Sequence, residues 1–169
     1  MMDFLDEIEA TVPALRRYAR ALTRNADRAD DLVQDCLERA IRKRNLFTPT
    51  GPVQAWLFRI LINIWRNDLR FERRRGDQIP IDSLIAEPSV APAQPGRIAL
   101  SEMSRAIDRL PDDQREALLL VVLEGLSYHE AASALGIPDG TLMSRLGRAR
   151  ATLRMSTGTA DEPRLRSIK

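Results

Sequence analysis

Between Gly140 and Arg154 the chain reads GTLMSRLGRARATLR, which sets Thr141, Arg145, Arg148 and Thr152 at helical spacing on one strip and Leu142, Leu146, Ala149 and Leu153 on the next. Arginine presents a planar fork of donors that fits phosphate oxygens and guanine edges, so the first strip suits nucleic acid. Gly140 and Ser144 are small and lie near the front of the segment, where a backbone can approach closely. A helix that reads bases with its N-terminal residues and holds phosphates with flanking cations needs both features. An ordinary amphipathic helix with solvated arginines is the competing reading. Arg145, Arg148, Arg150 and Arg154 against Asp139 alone tilt the choice toward nucleic acid.

Two further rows carry charge. Arg66, Arg70 and Arg73 to Arg75 make the end of the segment 52–75 cationic against Asp68 and Glu72. Such a cluster supplies a salt-sensitive phosphate grip. Asp27, Asp31, Gln34, Asp35 and Glu38 form an acidic face on the segment that precedes it, which read alone is a solvated surface or a docking ridge.

Other chemistries lack their residues. His129 is the only histidine and Cys36 the only cysteine, so neither a zinc set nor an internal disulfide can be assembled, and a reducing, cytoplasmic setting is expected. No glycine-rich phosphate loop, Gly-x-Ser-x-Gly turn or histidine–carboxylate cluster occurs, so no enzyme, cofactor or metal is expected. The longest apolar run, Ala117 to Leu123, is far short of the roughly 20 residues of a membrane span. The acidic start, Met1 to Glu9, is unlike a signal peptide. Charge is nearly balanced at 26 Lys+Arg against 24 Asp+Glu, and all the cations but Lys43 and Lys169 are arginine.

The elements that must position these rows are all helical. A first helix is expected over about Phe4 to Thr23, and a second after an Asn25 N-cap, with Ala29, Leu32, Val33, Cys36, Leu37, Ala40 and Ile41 as its apolar stripe. RNLFTPTGP, residues 44 to 52, breaks the pattern, and Pro52 opens a third helix running to about Arg75. That helix carries two apolar rows, Val53, Trp56, Leu57, Ile60, Leu61, Ile64 and Phe58, Ile62, Trp65, Leu69, more than a one-sided helix needs. Trp56 reads as core; Trp65 reads equally as core or as facing a ligand. Residues 76 to 97, punctuated by Pro80, Pro88, Pro92 and Pro95, read as a flexible linker. Beyond it, Leu100, Met103, Ile107 and Leu110 mark a short helix. Pro111 starts the next, with Leu118, Val121 and Val122 inward and Gly125 at its end. Ser127 and Glu130 match a capping box for a helix with Ala131, Ala134 and Leu135 inside, which Gly136 stops. The last helix, about Pro138 to Leu153, completes a helix-turn-helix, and 156–169 is read as a disordered tail. Cys36 is a buried space-filler in this reading, not a redox switch.

ADDLVQDCLERA (29 to 40), AWLFRILINIWRNDLRFERRR (55 to 75), LPDDQREALLLVVLEGLSYHEAASALGIP (110 to 138) and GTLMSRLGRARATLR (140 to 154) together resemble the extracytoplasmic-function class of bacterial RNA polymerase sigma factors. The resemblance implies an all-α fold of two small helical domains joined by a linker: sigma domain 2 over 1–75 and the helix-turn-helix sigma domain 4 over 98–155. It implies binding of core RNA polymerase, through the clamp helices of the largest subunit and the flap region, with Asp31, Gln34, Asp35 and Glu38 as the contacts. It implies promoter recognition and melting, with Asn45, Phe47, Asn63, Arg66, Asn67 and Arg70 at the minus-10 element and Thr141, Ser144, Arg145 and Arg148 at the minus-35 element. The loop Asn45 to Gly51 would capture a flipped base, and no catalytic group is needed for that, only tighter binding of unpaired bases. Phe47 taken by itself reads more simply as a core anchor. An anti-sigma factor is the expected regulator, and NADRADDLVQ and LPDDQREAL hint at a general-stress member. Asn67 stands where the family commonly has an acid, and Leu142-Met143 where it has Val-Lys, which removes one expected phosphate contact. Two other readings remain: a sigma-like decoy that binds an anti-sigma factor without DNA, and a helix-turn-helix regulator acting without polymerase.

Overall fold

Helix α1, Phe4–Thr23, begins where Asp3 and Asp6 cap each other's free amides, and it ends at Arg24, which turns left-handed at φ 55°. This is a computed structural model, and it describes residues 3–48, 51–76 and 95–158. Asn25 accepts from the Arg28 amide at 2.9 Å and starts α2, Ala26–Arg42. A single 3₁₀ turn, Arg44–Leu46, follows, and α3 spans Val53–Arg75, with Pro52 as its N-cap rather than its first residue. The second half holds α4, Pro95–Asp108; α5, Asp112–Leu118; α6, Tyr128–Leu135; and α7, Asp139–Ser156. No strand occurs among the described residues.

The first three helices pack on one another around Leu15, Tyr18, Leu22, Cys36, Leu57 and Leu61, all buried. Tyr18 and Phe58 meet edge to face, with ring centroids 5.1 Å apart. Cys36 is fully buried, donates to the Leu57 carbonyl at 3.4 Å, and has its thiol pushed up to about 12 by burial. The space-filling role holds. Ile41 departs from the expected stripe: it is half exposed, because the core closes at Ala40.

In the second half, α5 and α6 pack on α7 through Leu120, Ala131, Ala134, Leu135, Leu142, Leu146 and Ala149. Three sequence expectations need correcting here. The helix α4 starts at Pro95, inside the stretch assigned to the linker, and its Leu100 and Met103 are exposed, the buried positions being Ala106 and, past the end of the helix, Leu110. Pro111 caps α5 instead of opening it. After α5 the chain widens into a π turn, Leu119–Leu123, which adds a residue to the turn and rotates the inward face. Leu119 and Leu120 are therefore buried and Val122 points out, contrary to the 3.6-residue reading. The remaining linker and tail, 77–94 and 159–169, lie outside the described residues.

The surplus apolar row on α3 has its explanation in a neighbour from the second half, since α3 packs against α6 as well as against α1 and α2. Phe58, Ile62, Trp65 and Leu69 are all buried, and the core runs continuously from one half into the other. Around it, Tyr18 Oη donates to the Glu116 carbonyl at 3.1 Å, Arg17 meets Glu124 at 2.8 Å and Arg73 meets Asp112 at 2.9 Å. Burial of an aliphatic or aromatic side chain stabilises by about 1.5–3 kcal/mol, against about 0.2–1 kcal/mol for an exposed ion pair. Apolar area holds the halves together, and the ion pairs fix their register.

Candidate nucleic-acid interface

The helix-turn-helix is built by three local devices. Ser127 and Glu130 form the reciprocal cap, with the Ser127 amide donating to Glu130 at 2.8 Å and the Glu130 amide donating to Ser127 Oγ at 3.2 Å. Gly136 takes φ 67°, and the Ile137 amide returns to the Ala132 carbonyl at 3.0 Å, so a residue with a Cβ would be strained at the turn. Pro138 then starts α7 with no side-chain cap, which leaves the first amides of that helix unclaimed by a side chain.

On α7, Leu142, Leu146, Ala149 and Leu153 are buried as expected, and Thr141, Ser144, Arg148 and Thr152 are exposed. Arg148 is steered by a 2.8 Å hydrogen bond to Ser144 Oγ. Arg145 is different: its side chain keeps a fifth of its surface, and its Nε lies 3.5 Å from Asp113 on α5. Its Nη1 is buried with no hydrogen-bond partner. Met143 is exposed on the same helix. His129 is exposed, 3.3 Å from Asp139.

The second cationic cluster divides in the same way. Asn63, Asn67 and Arg70 are exposed on α3. Arg66 is half-buried and taken: its guanidinium grips Glu116 at 2.7 and 3.1 Å and reaches the Leu135 carbonyl at 3.2 Å, at the C-terminus of α6. Glu116 is almost wholly buried, and burial pushes its carboxyl pKa up while the Arg66 hydrogen bond pulls it down. Trp65 is buried beneath the Arg28 guanidinium, which sits 4.7 Å from the ring centroid, so of its two readings the core one applies.

Asn45 is exposed in the 3₁₀ turn. Phe47 is half-buried in an aromatic trio, its ring 5.4 Å from Phe4 and 5.3 Å from Trp56, so it anchors the loop that presents Asn45 and the exposed Leu46. Phe4 and Leu46 were absent from the sequence reading of this loop. Phe4 lies about forty residues upstream, and no local spacing links it to the turn.

The acidic face is unmixed. Asp31, Gln34, Asp35 and Glu38 all point outward from α2, joined only by a 3.4 Å Gln34 to Glu38 hydrogen bond and a 3.6 Å Glu38 to Arg42 ion pair. Asp68 on α3 belongs with them: partial burial raises its pKa, and the nearby Asp35 and Glu72 carboxylates add to the rise. Its position on a different helix hid this from the sequence pattern. No group of metal-ligating side chains occurs among the described residues, and no described helix is long and apolar enough to cross a membrane.

Comparison with known proteins places these surfaces in context. Residues 8–62 match the family described as the sigma2 domain of PhyR, and residues 100–153 match sigma-70 region 4. The ECF RNA polymerase sigma factor EcfG of Rhodopseudomonas palustris strain TIE-1 is 45% identical over 148 residues, covering 88% of this chain and 81% of that protein. Among solved structures, the sigma factor RpoE in complex with the anti-sigma factor NepR, from Bartonella quintana, superposes with a TM-score of 0.74 at 36% identity, covering 96% of this chain and all of that one. CnrH in complex with the cytosolic domain of CnrY gives a TM-score of 0.66 at 28% identity, with 95% and 92% covered.

Proposed function

The chain belongs to the extracytoplasmic-function family of RNA polymerase sigma factors, and on that premise we propose how its own residues divide the work of starting transcription at a cognate promoter. Sigma domain 2 comprises 1–75, and sigma domain 4 runs to 155 from Pro95, where α4 begins. The acidic ridge Asp31, Gln34, Asp35 and Glu38 docks on the clamp helices of the polymerase. Thr141, Ser144, Arg145 and Arg148 hold the minus-35 element, Thr141 and Ser144 near the helix front reading bases and the two arginines holding phosphate. Asn63, Arg66, Asn67 and Arg70 line the minus-10 element. Asn45 offers polar edges to an unpaired base, and Phe47 supports that loop from beneath. The protein contributes no catalytic group; it favours the open promoter by binding unpaired bases, which offsets an unstacking cost of a few kcal/mol. An anti-sigma factor holds it inactive until a signal arrives, as the RpoE and CnrH complexes suggest.

The observation that carries this reading is the separation of sign: an acidic face with its carboxylates turned to solvent on α2, and polar, cationic faces on α3 and α7. Two weak DNA-binding modules on one chain reinforce each other through effective concentration. Run-off transcription with core polymerase on a promoter library tests the assignment. Asp31→Ala/Asp35→Ala is expected to weaken polymerase binding at unchanged promoter preference, and Thr141→Ala/Arg148→Ala to lose selectivity at the upstream element. Initiation that neither pair alters overturns both assignments. A chain that binds an anti-sigma factor and never initiates is a decoy.

A further inference from the structure

Arg145 and Arg148 stand three residues apart on α7 and both hold phosphate in the reading above, yet they are steered by different parts of the molecule. Arg148 is aimed by Ser144 on its own helix, whereas Arg145 is paired with Asp113 on α5. We infer that Asp113 is a positioning residue for minus-35 binding: it does not touch DNA, but by holding Arg145 it fixes the direction of that guanidinium and the seat of the recognition helix on α5. The inference rests on the placement of Arg145 at the minus-35 element; the pairing itself does not.

Three observations carry it. Both oxygens of Asp113 are engaged: Oδ1 accepts from the Gln114 amide at 2.9 Å, in the opening turn of a helix whose N-cap, Pro111, offers no side-chain cap, and Oδ2 lies 3.5 Å from Arg145 Nε. Its own backbone therefore holds the carboxylate in place to meet the arginine. The guanidinium is held in turn. With Nε toward Asp113 and Nη1 buried without a hydrogen-bond partner, a fifth of the Arg145 side chain is left exposed for DNA. Glu116, the next acid along α5, is gripped by Arg66. Finally, Arg145 is next to Ser144 and four residues from Thr141, both exposed, so a tilt of its backbone moves both base-reading residues.

The pairing acts on binding through order. An unpaired arginine on a helix surface keeps many rotamers and loses them when it closes on a phosphate. One already held at Nε loses that freedom on folding, and the cost does not recur at the DNA. The sign of the effect is diagnostic. A solvated carboxylate near DNA only repels phosphate, so neutralising it tightens binding. Neutralising Asp113 should weaken binding, because the order of Arg145 is lost with the charge.

Holoenzyme assembled from core polymerase and the full chain, titrated at several salt concentrations with a duplex carrying the upstream element recovered from the promoter library and with a scrambled duplex, reads this directly. Asp113→Asn should weaken binding of the recovered element by about two- to tenfold, the cost of ordering one rotamer-rich side chain, and leave the slope of log affinity against log salt unchanged. The preference over the scrambled duplex should fall with it, and Asp113→Glu, which keeps the charge, should bind more tightly than Asp113→Asn. Arg145→Ala and Arg148→Ala, each removing a phosphate contact, should lower the slope by about one. Added to Arg145→Ala, Asp113→Asn should weaken binding no further, since its effect passes through that side chain. Unchanged or tighter binding in Asp113→Asn while Arg145→Ala is impaired overturns the proposal and leaves the minus-35 reading intact. An equal loss on both duplexes, or a further loss on top of Arg145→Ala, overturns it as well. Affinity and slope unchanged in Arg145→Ala would remove Arg145 from the minus-35 element, and the role of Asp113 with it.

Discussion

Helices α3 and α7 look alike as sequences, each an apolar stripe beside a row of arginines, yet they present different surfaces. On α7 the stripe faces its own domain and Thr141, Ser144 and Arg148 face solvent. On α3 the apolar residues serve both halves, packing on α1 and α2 and on α6, and Arg66 is gripped by a buried carboxylate of the second half. Charge written in a sequence is thus not charge available at a surface. What decides is whether a helix packs within its own half alone or against both halves, since the second half draws the adjacent cations into the seam it makes.

The sharpest break of this comparison comes from the cores beneath the two helices. Phe58 is fully buried on α3 against Tyr18, and Phe58→Ala should destabilise the chain by about 3–5 kcal/mol, while Leu146→Ala beneath α7 should cost about 2–5 kcal/mol. If α3 serves both halves, Phe58→Ala should lower the urea midpoint of probes in both domains, and Leu146→Ala chiefly that of domain 4. Independent midpoints for the two domains in Phe58→Ala would mean that α3 supports only its own.

Next in size is the entrance to the helix-turn-helix. Ser127→Ala removes one half of the reciprocal cap and should cost about 1 kcal/mol, read as a shift of the thermal midpoint. Smaller still is the stability effect of the surface strip: Arg148→Ala should fall within about 0.5 kcal/mol of wild type, because that side chain is exposed and bonds only Ser144. Arg145→Ala should exceed it, since the Arg145 side chain is four-fifths covered and faces Asp113. Equal effects would place the two arginines in the same environment and erase the distinction within α7.

Most helices were legible in the sequence because their signals are local. Asn25, Ser127 with Glu130, and Gly136 each act within four residues, and each sits where its chemistry predicts. The exposed members of the candidate site were equally legible, since Asp31, Asp35, Asn63 and Thr141 lie opposite strongly periodic apolar rows. The π turn was not, because one extra residue in a run of leucines and valines leaves composition unchanged while rotating Val122 outward. Nor were the engagements of Arg66 and Arg145, whose partners Glu116 and Asp113 are fifty and thirty-two residues away along the chain. The surplus apolar row on α3 was the one long-range signal present, and it announced a second neighbour without naming α6.

The smallest effect tests whether the local cap and the distant Arg66–Glu116 contact respond oppositely to acid. Glu130 accepts hydrogen bonds from Ser127, through the side chain and then the backbone, and these hold its carboxyl below the usual glutamate range. The folded state therefore prefers the charged form, so this contribution is fully present above the ordinary glutamate range and is lost as pH falls through the lowered one. Glu116 has the opposite sign: burial raises its pKa, so the packed state takes up a proton more readily than an exposed glutamate does, and acidification through that range favours the packing of the two halves. Glu130→Gln should therefore make the stability of the chain less sensitive to acid and Glu116→Gln more sensitive, each read as the change in urea midpoint between neutral and mildly acidic pH. Equal sensitivities in the two variants would show that the two carboxylates respond to acid alike.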